Sequence, residues 1–545
     1  PQQALSQTWT FSTNPADPST SNLAIYDATT GALVNVPGND AVGVGTSTGA
    51  PTTDINGEER IRGVYADPGA FTTDLLTITK SIDGGGGGDY TTFTAAEAAV
   101  SILGRSDDLV KENTAIVFEA EAGTYSGQLS VNSSLVTDAT RNVTYRPSNG
   151  SEHGGVFGAG VVLSHTTNAA FVEDAYTILD GLEIYGSNVG GSNRAMELKN
   201  EGTRGSRVAN CIVWGGDLDT GTTAFGVYAR YQVTGTLPSS QALVVENCLL
   251  AAWGQAVRLQ SYAGQDSAIS LRNCTVLTRD PSSVPNFLQT LGDSSGASCS
   301  VEFINNNVLD GASALLADAN VAAVFSGGGN VAKASSGFPV AQQAGSQGWT
   351  FSTNTADTST GNQVIYDTAT GALINVPGND AVGVGTATGA PAEDILGKAR
   401  MREGSYGALY ADPGAFTTDR VDLGGTVGAG KDYTTYIAAE ADTGSYTSLA
   451  KSNVRYVFTA TPGETISSLG ILTIETTSET GPAHNVRFQC LDKTNRARRV
   501  GLAPTNTDAL RVIEGFVEWD GIDLEGPSGF RAVALSSSSG VNTVG

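Results

Sequence analysis

The sequence predicts an all-β protein built of stacked parallel coils and arranged as modules in tandem. Three observations carry that prediction. Residues 9–54 and 349–394 agree at 35 of 46 positions at an offset of 340, and both run on to the string YADPGAFTTD, at 65–74 and 410–419. Self-similarity at a fixed offset is the mark of a repeat architecture. Four short segments share one shape, described below. Finally, 68 glycines and only 16% charged residues in 545 positions suit short strands joined by tight turns, because glycine supplies positive-φ corners without steric cost.

The repeat sets the boundaries. Residues 1–77 read as the C-terminal end of a preceding module, 78–417 as one complete module, and 418–545 as the start of a following one. Inside the complete module the glycine run 84–88 reads as a flexible linker. It lacks the Lys-Ser/Thr and the strand–loop–helix context of a phosphate-binding loop. Phe93, Ala96, Val100 and Leu103 then fall near helical spacing, which predicts a helix over about 91–103. Thr94 and Glu97 have the capping-box separation. Such a helix would cover the open first coil, whose unpaired backbone invites another strand. Its second copy is broken sooner, at Thr443-Gly444, and is expected to be shorter. The coils are expected over about 110–340 and a closing segment over 341–417.

The coils announce themselves at their corners. Val208-Ala209-Asn210-Cys211-Ile212-Val213, Val245-Glu246-Asn247-Cys248-Leu249-Leu250, Leu271-Arg272-Asn273-Cys274-Thr275-Val276 and Phe303-Ile304-Asn305-Asn306-Asn307-Val308 all read apolar, x, Asn, small, x, apolar. Plain strand alternation puts the first and third positions on one face. Here the buried candidates are the first, fourth and sixth, and that phase shift needs a bend at the third. Asparagine is the non-glycine residue that best tolerates the left-handed conformation of such a bend. Stacked coils would align Asn210, Asn247, Asn273 and Asn305 in a ladder, hydrogen-bonding along the stack. Cys211, Cys248 and Cys274 would form a second, inward ladder of buried, unpaired thiols.

These corners resemble those of right-handed parallel β-helix proteins, the pectate-lyase-like superfamily. The module end is also similar to the closing segment of many such proteins. It reads Asn39-Asp40-Ala41-Val42-Gly43-Val44-Gly45-Thr46, then Asp54-Ile55-Asn56-Gly57 with Arg60, then Asp67-Pro68-Gly69-Ala70-Phe71. Asp394, Gly397, Arg400 and Asp412-Pro413-Gly414-Ala415-Phe416 repeat it. Pro68 and Pro413 depart from the family's usual Ile, and proline stops a strand from being extended. The module start, Asp89-Tyr90-Thr91-Thr92 with Val136-Thr137-Asp138-Ala139-Thr140-Arg141, resembles phage-encoded β-helix virion and fibre proteins. The resemblance implies right-handed parallel β-helix modules in tandem, each with a short N-terminal capping helix and a distinct C-terminal closing segment. That fold hosts lyases, hydrolases, adhesins and viral spikes, so function has to come from the site.

The net charge of −25 and pI near 4.4 repel nucleic-acid phosphate. They also disfavour acidic polysaccharide unless a cation bridges. No apolar run approaches the ~18 residues of a membrane-spanning helix. Five cysteines, an odd number, show no Cys-x-x-Cys or Cys/His metal spacing. Histidine occurs only at His153, His165 and His484, none beside a nucleophile motif. The candidate acids are Asp174, Asp180, Glu183, Glu197, Asp217 and Asp219. They form no convergent set, so no catalytic residue and no resident cofactor is expected. Asp217 and Asp219 could offer hard oxygens to Ca²⁺, without the spacing of a known calcium loop. Trp214, Trp253, Tyr228, Tyr231 and Tyr262 lie after or between the corners, where they either pack on a neighbouring coil or stack on sugar rings.

The expectation is a non-enzymatic, modular fibre or structural protein of a phage virion or bacterial exterior. Its partners would be neighbouring modules or identical subunits, with loops for surface or glycan attachment. The alternatives are a tailspike-like polysaccharide depolymerase or lyase, and a secreted bacterial adhesin.

Overall fold

In the computed structural model the chain is a parallel β-helix. The structure describes residues 42–67 and 74–186 with short breaks, the strands and corners between 194 and 357, two hairpins (25–34 and 365–374), and 382–535 in segments. Among the described residues three parallel sheets run along the stack, and seven coils contribute a strand to each. The coil of Arg207–Ala209, Ile212–Gly215 and Phe225–Tyr231 stands for the rest. Among the described residues no helix is long and apolar enough to cross a membrane.

The registers build the core. On the first sheet Tyr145, Leu179, Val208, Val245, Leu271 and Phe303 occupy one rung position on successive coils. On the second, Leu163, Ile184, Val213, Leu250, Val276 and Val308 do the same. All are buried. Each such side chain is removed from water at about 1.5–3 kcal/mol.

The first two sheets meet at a left-handed corner. Asn210, Asn247, Asn273 and Asn305 have φ of 53°, 53°, 52° and 53°, flanked in the ladder by Gly181 and Gly329 at 69° each. Cys211, Cys248 and Cys274 follow, buried and with free thiols.

Four expectations need correction. The glycine run 84–88 is no open linker. Asp83 closes it into a turn, its carboxylate accepting from Gly85 N at 2.7 Å and Gly87 N at 2.8 Å. The first strand, Leu76–Ile82, precedes that turn and pairs with Thr114–Ala120. The helix spans Phe93–Ala98 and Val100–Leu103, but its cap is Thr92, which accepts from Ala95 N, rather than Thr94. Glu97 turns inward to Ser133 Oγ and the Tyr145 hydroxyl instead of back to a capping box. Gly348–Phe351 and Asn354–Asp357 extend the first two sheets, so coils continue into the expected closing segment. Lastly, only Asn210 bonds along the ladder, its Nδ2 donating to Asp180 Oδ1 at 2.7 Å. The other three corner asparagines bind elsewhere, as described next.

A second parallel stack begins at Val421–Val427. Its helical turns are Tyr436–Ala441 and Leu449–Ser452.

Candidate functional site

Two assemblies on the outside of the coils bear on function: a segment that clasps the corner ladder, and a cationic face on the third sheet.

Residues 382–403 and 409–418 lie against the corner. Asn247 Nδ2 donates to Glu393 O at 2.8 Å, Asn273 Nδ2 to Asp412 O at 3.4 Å and Asn305 Nδ2 to Thr386 O at 2.6 Å. Thr386 N returns a bond to Asn305 Oδ1 at 2.6 Å. Below them the outward-facing Ile212 and Leu249 bury Ile395, Ala415 and Phe416. The Arg400 guanidinium, fully buried, donates to Asn247 Oδ1 at 2.7 Å, Gly414 O at 2.9 Å and Asp412 O at 3.0 Å. Burial lowers its pKa to about 10, which still leaves it a cation at neutral pH. The opposite side of the segment grips the next stack. Arg402 forms a fork with Asp412 at 2.8 and 2.5 Å and donates onward to Ala450 O at 3.0 Å. Burial opposes the charge on Asp412, but Arg402 overrides it and holds the carboxyl below its usual range.

The third sheet supplies the cationic face. Its inward positions, Met196, Val227 and Val257, align in the core, which turns Glu197, Tyr228 and Arg258 outward in one row. Lys199, Arg230 and Gln260 form the next row. Arg194 lies 3.9 Å from the centroid of the Tyr228 ring, with the guanidiniums of Arg230 at 5.5 Å and Arg258 at 5.6 Å. Such cation–π contacts strengthen as water is excluded. Glu197, buried, pairs with Arg194 at 2.5 Å and with Arg230, and accepts from Asn168 Nδ2 at 2.8 Å. Lys199 pairs with Glu173 at 3.0 Å. Among the described residues, Arg194, Lys199, Arg230 and Arg258 lie on this face together with Glu173 and Glu197, on a chain of net charge −25.

The aromatic candidates separate. Tyr228 is 4% exposed beneath the arginines, its hydroxyl bonded to Gln260. It is a support for guanidiniums, not the sugar platform that was a candidate reading. Trp214 stacks on Tyr185 at 4.0 Å, meets Phe157 edge-on at 5.2 Å and donates to Glu183 Oε1 at 2.8 Å, so it packs. Trp253, Tyr262, Asp217 and Asp219 lie outside the described residues, as does the side chain of Tyr231.

The remaining candidate acids have structural partners. Asp174 accepts from Ser133 N and Ser134 N, each at 2.9 Å. Asp180 holds Asn210, and Glu183 accepts from Gly158 N at 2.6 Å. Burial raises the pKa of Asp174 and of Glu183. His153 is buried and keeps Asn210 O at 2.7 Å, and burial lowers its pKa. Among the described residues no three His, Cys, Asp or Glu side chains converge as a metal site.

Sequence reasoning missed Arg194, Arg230 and Arg258. Glu197, Tyr228 and Arg258 lie 31 and 30 positions apart, but as three different residue types they form no repeat. Only the coil register turns that spacing into proximity.

No family model matches the chain, and no curated protein matches it. Among solved structures it is similar to a pectin methylesterase from carrot, at 12% identity over 54% of this chain and 91% of that one, with a TM-score of 0.29. It is also similar to a mutant of AlyGC, an alginate lyase of the PL6 family, at 9% identity over 78% of this chain and 71% of that one, with a TM-score of 0.19. Likenesses this weak carry nothing about function; the fold rests on the strand registers.

Proposed function

We propose that this chain is a non-enzymatic, modular β-helix component of a virion or bacterial exterior that holds an anionic glycan on its third sheet. One observation carries the reading: Arg194, Arg230 and Arg258 converge over Tyr228 while buried Glu197 orients the first two. Guanidiniums fixed in this way are preorganised forks for carboxylate or sulfate groups. The corner clasp supports the structural half of the proposal, since it joins consecutive stacks through buried contacts.

The test is binding of polygalacturonate, alginate and a neutral glucan to the whole chain. The acidic polymers are expected to bind, more weakly as salt rises. Arg194→Ala with Arg258→Ala should weaken binding about tenfold or more, on the scale of one lost charge-assisted contact. Arg146→Ala, on the first sheet and paired with Glu119, should not. Equal binding of the neutral glucan, or no effect of the arginine pair, would refute the proposal. The second reading is a lyase, favoured by the same arginines because proton abstraction beside a uronate needs its carboxylate neutralised. Release of unsaturated uronates by the chain would establish that reading and reject the non-enzymatic one.

A further inference from the structure

Residues 148–160 leave the first sheet after Val143–Pro147 and rejoin the second at Val161–His165. Between those strands the loop lies over the corner and the outer side of the second sheet. Ser151 Oγ donates to Glu121 Oε2 at 3.3 Å, Gly158 N donates to Glu183 Oε2 at 2.6 Å, and Phe157 meets Trp214 edge-on. His153 makes the bond to the corner itself. Gly154 and Gly155, at φ of 56° and 75°, turn the chain straight after it, and Gly155 N donates to His153 Nδ1 at 2.8 Å. Nδ1 therefore carries no proton. Nε2 lies 2.7 Å from Asn210 O, a carbonyl that only accepts, so the ring's one proton sits on Nε2. Both nitrogens are committed, and these bonds admit the neutral ring alone. A proton added at Nδ1 would face the Gly155 N–H and place a charge on a side chain 3% exposed.

The charged groups that face the ring are Asp180, which holds Asn210 at the corner, and Glu152 beside it in the loop. Glu121 and Glu183 receive the loop on either side. Burial is the largest influence on His153 and holds its pKa below the ordinary histidine value, although the bond to Asn210 O and the carboxylates of Asp180 and Glu152 favour the imidazolium. We propose that residues 148–160 are an acid-opened strap: protonation of His153 breaks its bond from Gly155 N, releases the loop from the corner and uncovers Trp214 and the Glu183 carboxylate beneath. The closed form prefers the neutral ring, so closure is fully favoured above about 6.5, the ordinary histidine pKa, and is lost as pH falls below it. Burial raises the pKa of Glu183, so that group takes up a proton more readily while covered and works in the opposite sense. Acid opening must therefore come from His153. The inference is independent of the glycan reading, since the third sheet takes no part.

The test follows acrylamide quenching of tryptophan fluorescence in the whole chain, from about pH 7.5 to about pH 5, on either side of the ordinary histidine pKa. The part due to Trp214 is the difference from Trp214→Phe. It should rise several-fold on acidification while the far-UV circular dichroism of the coils stays unchanged. His153→Gln keeps a donor toward Asn210 O and takes up no proton, so its Trp214 should stay equally shielded at both ends of the range. Glu183→Gln should open as the wild type does. Deuterium exchange at the His153 ring carbon, read by mass spectrometry on the unsubstituted chain, should share its midpoint with the exposure of Trp214, and this measurement stands even where His153→Gln fails to fold. A Trp214 signal flat with pH, opening that survives His153→Gln or disappears in Glu183→Gln, loss of the coil signal in step with quenching, or midpoints that do not coincide would overturn the proposal.

Discussion

Replacing Arg400 with alanine should release the closing segment while leaving the coils intact. Its guanidinium has no exposed surface and donates to Asp412 O, Gly414 O, Ala415 O and Asn247 Oδ1. Alanine leaves those acceptors buried without the donor. Bonds of this charged kind are each worth about 1.5–3 kcal/mol and are not additive. Removing one member of a buried charged set costs about 3–5 kcal/mol. That corresponds to opening of the segment roughly two to four orders of magnitude more often. The assay is amide hydrogen exchange resolved by peptide. Protection should fall across 385–418 and stay unchanged in 243–250 and 297–304, whose bonds are made between coils. Arg400→Lys should recover less than half, because a single ammonium cannot serve a fork of acceptors. Unchanged exchange in 385–418, or equal loss in the coils, would refute the claim that Arg400 holds the segment to the edge.

Two further outcomes are expected. The thiols of Cys211, Cys248 and Cys274 should resist a chromogenic disulfide reagent in the native state and titrate fully on denaturation, because burial pushes the Cys248 thiol far up; an Asn210-side crosslink between Cys211 and Cys248 in non-reducing mass spectrometry would contradict this. Burial raises the pKa of Glu97, so its contribution to stability is full below the ordinary glutamate range and is lost as pH rises through the raised value; Glu97→Gln should flatten that part of the stability profile in thermal unfolding, and an unaltered profile would count against it.

The corners were legible because their cause is local. An Asn between two phase-shifted apolar pairs states both the left-handed bend and the burial of Val208, Cys211 and Val213. The helix was legible from spacing, but its cap was not, since Thr92 and Thr94 are equally able acceptors and packing of Glu97 on Tyr145 decides between them. The glycine run misled because composition cannot show that Asp83 closes it. The cationic face and the clasp were out of reach for another reason. Arg400 meets Asn247 across 153 positions, and the third-sheet arginines align only once loop lengths between coils are known. Contacts of that kind belong to register, which periodicity within one strand does not carry.

The corner residues themselves separate two roles that the sequence pattern merges. Glycine satisfies the same backbone conformation at 181 and 329, so the bend alone does not require asparagine. At 305 the carboxamide both donates to Thr386 O and accepts from Thr386 N, which mimics one rung of a strand ladder between the edge and the closing segment. Asn305→Gly should therefore keep the corner and lose the rung. Asn305→Ala should lose the rung and also strain the left-handed corner by about 1–2 kcal/mol. In hydrogen exchange, both variants should deprotect 385–390, and only the alanine variant should also weaken 297–308. If Asn305→Gly leaves Thr386 as protected as before, the carboxamide is not what binds the segment, and the asparagines serve the bend alone.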